Sequence, residues 1–298
     1  MRLDEIGESS NVEDRRGQGG GGFGGGFPGG RGGLGFGTIA VLTVVGYMLG
    51  INPAILIGGA EMIGAGREAI TQRSSAPSSS SPQDEQLRLF VSRVLKTNED
   101  VWQQILPDQK GIAFRPAPLV IFRGATRSAC GGAQSAMGPF YCPADTRIYL
   151  DMSFFEEMRT KMRAGGDFAY AYVIAHEMGH HIENVLGILP KVQAAQQRVS
   201  RREANALSVR VELMADCLAG VWAHHANQRW RILEQGDLEE AMTAAAAIGD
   251  DKLQKQSQGY VVPDSFTHGS SEQRVRWLTQ GLRTGRVDAC DTFNSRAI

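Results

Sequence analysis

The chain has 298 residues, 42% hydrophobic and 21% charged, which is ordinary globular composition and enough for one sizeable domain with extensions. Its formal net charge of -1 argues against a general nucleic-acid binder, because such domains carry a basic excess that neutralises phosphates. The 37 glycines are unevenly spread, and a large share fall in "GQGGGGFGGGFPGGRGGLGFG" at 17–37.

From the N-terminus, residues 1–35 read as a glycine-rich, disordered cytoplasmic tail. No strand precedes the glycines, so they imply no phosphate-cradling loop. No charge lies between Arg31 and Glu61, and residues 36–58 are apolar enough to be one transmembrane helix, since about 20 such residues span a bilayer core. Asn52 and Pro53 mark a kink or the far end. The long polar leader argues against a cleaved signal peptide. Arg2, Arg15, Arg16 and Arg31 before the span, against Arg67 and Arg73 after it, orient a single-pass inner-membrane protein with its C-terminal domain facing the periplasm or cell exterior. Residues 59–84 are a Ser/Pro-rich linker, and 85–298 the folded domain.

All four cysteines, Cys130, Cys142, Cys217 and Cys290, follow the span and so fall where disulfides persist. Cys130 and Cys142 bracket a short glycine-containing loop, which favours pairing them and leaves Cys217 with Cys290; sequence alone permits three pairings.

Asp167 as N-cap and Gly187 as C-cap delimit a helix over 168–186 with a buried stripe through Tyr172, Val173, Ala175, Met178, Ile182, Val185 and Leu186. It carries "HEMGH". His176 and His180, one turn apart, can both reach one zinc, and Glu177 a water beside it. His181, off that face, is structural.

A third ligand is needed. Over 204–225 a second amphipathic helix places Glu212 and Asp216 on one face among apolar neighbours, where buried carboxylates require a cation. Glu212 is assigned as the ligand and Asp216 as acceptor of a ligand histidine's other ring N–H. Asp216, His224 or His225 as ligand, and a surface ion pair with Arg210, are the competing readings. His268, in the turn of "PDSFTHGSSEQRVRWL", is the candidate for stabilising a developing oxyanion, with Arg274 second.

The blocks "SACGGAQSAMGPFYCPADTRIYLD", "DFAYAYVIAHEMGHHIENVLG", "VELMADCLAGVW", "IGDDKLQ" and "PDSFTHGSSEQR" resemble the bacterial neutral zinc metallopeptidase family with a single N-terminal membrane anchor. The likeness covers the anchor and the whole domain from about residue 85. It implies a zincin-like, helix-rich α+β domain with a small sheet, one zinc per chain on His176, His180 and Glu212 with Asp216 behind them, and a His-plus-Arg element in His268 and Arg274.

Strands are expected over 118–122 and 146–152, and further helices over 86–106, 153–163, 189–202 and 237–248. Strand 146–152 is the expected edge for an extended substrate. The reaction expected is zinc metalloendopeptidase hydrolysis of a peptide or protein, with Glu177 as general base. A membrane-anchored, zinc-stabilised binding module without proteolytic activity, and a hydrolase of non-peptide amides, are the rivals.

Overall fold

The computed structural model describes residues 1–18, 81–134, 138–295 and 298. The expected tail beyond residue 18, the spanning helix over 36–58 and all but the last four residues of the linker over 59–84 lie outside them. Among the described residues no helix is long and apolar enough to cross a membrane.

The chain order is β1 (Val12–Asp14), a 3-10 turn (Arg16–Gln18), α1 (Pro82–Lys110), β2 (Leu119–Phe122), β3 (Ala125–Ser128), β4 (Gly131–Gln134), β5 (Phe140–Cys142) and β6 (Arg147–Asp151). Helices follow: α2 (Phe154–Thr160), α3 (Asp167–Val185), α4 (Ile188–Gln196), α5 (Arg201–Trp230), α6 (Asp237–Ala247), α7 (Asp250–Gln258) and α8 (Ser271–Thr284). The result is a helix-rich α+β fold with one four-stranded sheet, ordered β1-β2-β6-β5, and a separate β3–β4 hairpin.

All four β2 residues are buried, the continuous apolar run of a strand covered on both faces. β2 pairs in parallel with both β1 and β6, while β5 is antiparallel to β6. Strand 146–152 is therefore not an edge: β6 has a neighbour on each side. The edge facing α3 is β5, whose three residues are too few to show a period.

Residues 1–18 are structured rather than a disordered tail. β1 runs in register along β2, with Val12 opposite Leu119 and Asp14 opposite Ile121. Leu3 and Ile6 are buried, at 7% and 8% exposure, and Asn11 Nδ2 donates to Glu99 at 2.6 Å. A few apolar residues beside a glycine run carry too little periodicity to be read as packed chain.

Helix α3 begins at Asp167 itself, with Gly166 in the cap position and no side-chain cap bond. Gly187, at φ 72°, lies in the left-handed region just past the helix, as a terminating glycine does. Helix α5 is longer than expected because Ser200 and Glu203 form a reciprocal capping box ahead of it. Helix α3 packs on α5, and α5 on α8, around the main apolar core. Two disulfides join Cys130 to Cys142 and Cys217 to Cys290, the second linking α5 to the C-terminal turn.

Candidate metal centre

The centre lies where α3 crosses α5. The crossing is close because residue 179 is glycine: a Cβ there would stand 2.9 Å from the Ala215 carbonyl oxygen. This approach brings His176 and His180 of α3 to Glu212 of α5. His176 Nε2 is 3.2 Å from Glu212 Oε2, and His180 Nε2 is 3.6 Å from Glu212 Oε1. Zinc–ligand bonds of about 2.0–2.2 Å place tetrahedral donors roughly 3.3–3.6 Å apart, and these two distances, one to each Glu212 oxygen, lie close to that spacing. His176, His180 and Glu212 are a possible metal-binding group, their donor atoms all within 4.8 Å of one another.

Each imidazole is fixed from behind through Nδ1. Asp216 Oδ1 is 2.9 Å from His176 Nδ1, and Glu183 Oε2 is 2.8 Å from His180 Nδ1. A carboxylate on Nδ1 selects the tautomer whose Nε2 lone pair is free for a metal, and it raises the ring's basicity. Both Asp216 oxygens are engaged, and Asp216 lies outside the converging donor group: Tyr172 Oη donates to Oδ1 at 2.5 Å, and Arg274 donates to both oxygens at 2.8 and 2.9 Å. Arg274 is 1% exposed, makes its shortest contacts with Asp216 and lies 3.9 Å from Glu212, so it ties α8 to the carboxylates of α5.

The remaining ligand candidates fall elsewhere. His224 and His225 bond to the carbonyls of Leu282 and Gly285 at the far end of α5. Arg210 bonds to the Thr292 carbonyl and forms no ion pair with Glu212 or Asp216. His181 Nδ1 lies 3.0 Å from Tyr141 Oη and its Nε2 2.6 Å from the Arg115 carbonyl, the structural place expected of it.

The electrostatics of the cluster favour a cation. Burial disfavours a charged His176, yet the Asp216 and Glu212 carboxylates outweigh it and hold its pKa up to about 10. A site that draws a proton so strongly also draws a divalent metal, which takes the proton's place. Burial pushes Glu183 up to about 7 against the pull of His180. Burial likewise raises Glu177, which His176, His180 and a backbone hydrogen bond from Tyr141 of β5 pull back only in part. Glu177 thus sits beside the donors in a weakly basic, water-poor position.

His268 is brought to the same cluster by Asp250. One Asp250 oxygen accepts the backbone N–H groups of Thr267, His268 and Gly269 at 2.7, 2.6 and 3.0 Å, and the other lies 3.2 Å from His268 Nδ1. Burial alone would lower the His268 pKa, but Glu212 and then Asp250 raise it.

Sequence reasoning missed Glu183, Tyr172 and Asp250. The first two had a signal, because Tyr172, His176, Gly179 and Glu183 recur at three or four residues along one face of α3. Asp250 had none beyond the block "IGDDKLQ".

Over residues 1–293 the chain matches the family described as "Putative neutral zinc metallopeptidase". It is 48% identical over 297 residues to the uncharacterized protein YpfJ of Escherichia coli (strain K12), covering 98% of this chain and 99% of that one. It is 39% identical over 221 residues to the uncharacterized protein Rv2575 of Mycobacterium tuberculosis (strain ATCC 25618 / H37Rv), covering 70% and 72% of the two chains. No solved structure matches it. With that match running from the first residue through the donors on α3 and α5 and on past α8, the chain belongs to the neutral zinc metallopeptidase family.

Proposed function

We propose that the protein is a zinc-dependent endopeptidase with His176, His180 and Glu212 as ligands and Glu177 as general base. The observation that carries this reading is the convergence of two Nδ1-anchored imidazoles and one carboxylate beside a second, buried carboxylate that holds no ligand position. Bound there, zinc lowers the pKa of a water and polarises a substrate carbonyl.

The chain's own residues do the rest. Glu177 takes a proton from the attacking water and passes it to the leaving amine, a task suited to a carboxyl raised by burial. Its hydrogen bond from Tyr141 ties that carboxyl to β5, the edge strand beside α3. An extended peptide added along β5 would place a backbone carbonyl over the donors, since exposed strand edges bind peptides through main-chain hydrogen bonds. His268, held by Asp250 and near enough to Glu212 for the two charges to interact, supplies a donor for the oxyanion. The two disulfides favour an oxidising compartment for the domain.

The test is a quenched-fluorescent peptide pool offered to the zinc-loaded full chain and to Glu177→Gln. A peptidase loses roughly 10²- to 10⁴-fold in turnover while keeping its zinc. Cleavage unchanged in Glu177→Gln would remove Glu177 from the mechanism. A zinc-loaded wild type inert towards the whole pool would favour the binding module.

A further inference from the structure

β2 is buried along its whole length, yet without β1 it would be the outer strand of the sheet. A wholly apolar strand left with an open edge invites pairing with another chain, and here that edge is covered. The neighbour is the N-terminal arm. Its register on β2 is continued by Arg15 N donating to the Ile121 carbonyl at 2.8 Å and by Leu119 N donating to the Asn11 carbonyl at 2.9 Å.

Contacts with α1 at two places, with β6 and with the segment after α5 hold the arm. Ser9 N donates to Ser92 Oγ at 3.0 Å and Ser9 Oγ to Glu99 at 2.8 Å on α1. Arg147 of β6 bonds to Glu13. Arg2 N donates to the Ile232 carbonyl beyond α5 at 2.8 Å. Arg16 bonds to the Asp84 carbonyl at 2.9 Å and pairs with Glu85 at 2.6 Å, in the first turn of α1. That last contact brings residue 16 against residues 84 and 85, so the chain leaves and re-enters the domain at one place. A single helical crossing of a bilayer separates its two ends by about 30 Å of hydrocarbon.

We propose that residues 1–18 and the metallopeptidase domain lie on the same side of any membrane to which the protein is attached. Residues 1–18 and the domain could not form the β1–β2 pair from opposite sides of a bilayer. This holds whether the arm docks on its own chain or on a second copy. It replaces the arrangement expected from arginine bias, with the N-terminus in the cytoplasm and the domain outside. It is independent of whether the centre is a peptidase.

The experiment uses the full chain in cells, with Asp4→Cys, whose native side chain is 98% exposed, and separately Gln235→Cys, on the exposed turn before α6. Each is treated with a membrane-impermeant maleimide before and after permeabilisation. The expected result is matched behaviour: both positions label in intact cells, or both only after permeabilisation. One position labelled in intact cells and the other only after permeabilisation would overturn the proposal. A second measurement joins Glu8→Cys to Arg88→Cys, positions now paired at 3.0 Å, with a short bis-maleimide. Cross-linking within a chain or between two copies supports docking, and its complete loss in the folded protein contradicts it.

Discussion

Asp216 Oδ1 stands 2.9 Å from His176 Nδ1, on a carboxylate that is fully buried. The same group takes two hydrogen bonds from Arg274, so one residue orients a metal-ligand candidate and neutralises a buried cation. Asp216→Asn keeps the shape and removes the charge. Arg274 would lose its nearest counter-charge and keep only Glu212 at 3.9 Å, which is expected to cost about 3–5 kcal/mol in denaturant unfolding. Zinc affinity, measured by chelator competition, should fall about 10- to 100-fold.

Glu183 has a related part with a different stability outcome. Its Oε2 holds His180, while its buried Oε1 has no hydrogen-bond partner. Glu183→Gln still presents an acceptor to His180 Nδ1 but sets an amide N–H at the unpartnered Oε1 position, so the unfolding free energy should fall by about 1–3 kcal/mol while zinc affinity falls about tenfold. Affinity left unchanged would show that Glu183 does not set the donor strength of His180.

Gly179 links packing to the centre. A methyl group at this position meets the Ala215 backbone and must push α3 from α5. Gly179→Ala is expected to lose about 1–3 kcal/mol through overpacking and to weaken zinc binding by separating His180 from Glu212. Thermal unfolding and zinc titration of the same preparation check both effects.

The Cys217–Cys290 bridge closes a sequence separation of 73 residues and fastens the C-terminal turn to the centre of α5. Chain-entropy reasoning puts its contribution at about 4 kcal/mol. Replacing both cysteines by serine should lower stability by that order, whereas the bridge spanning only 12 residues, Cys130–Cys142, should contribute less.

The two helices of the centre were legible because a metal site needs few residue types at fixed helical spacings. "HEMGH" and the Glu212/Asp216 pair each occupy one helical face. Glu183 obeys the same spacing, but one acidic residue near a helix end looks no different from a solvated one. Arg274 was readable as a charge near the site, though not as the buried partner of Asp216, since that depends on α8 crossing α5 where Gly281 has no room for a side chain against Cys217. The arm and β5 were illegible for a shared reason: each contributes a three-residue strand, and such strands are defined by the neighbours they pair with rather than by a period of their own.

The metal centre is tested most directly by the zinc content per chain of the purified full-length protein. The comparison is wild type against His176→Ala, His180→Ala and Glu212→Ala, with His224→Ala and His225→Ala as histidine controls away from the centre. Near-stoichiometric zinc is expected in the wild type and both controls, lost in each of the three donor variants. A folded wild type without tightly held zinc, or zinc retained when Glu212 is removed and lost when His224 or His225 is, would contradict it.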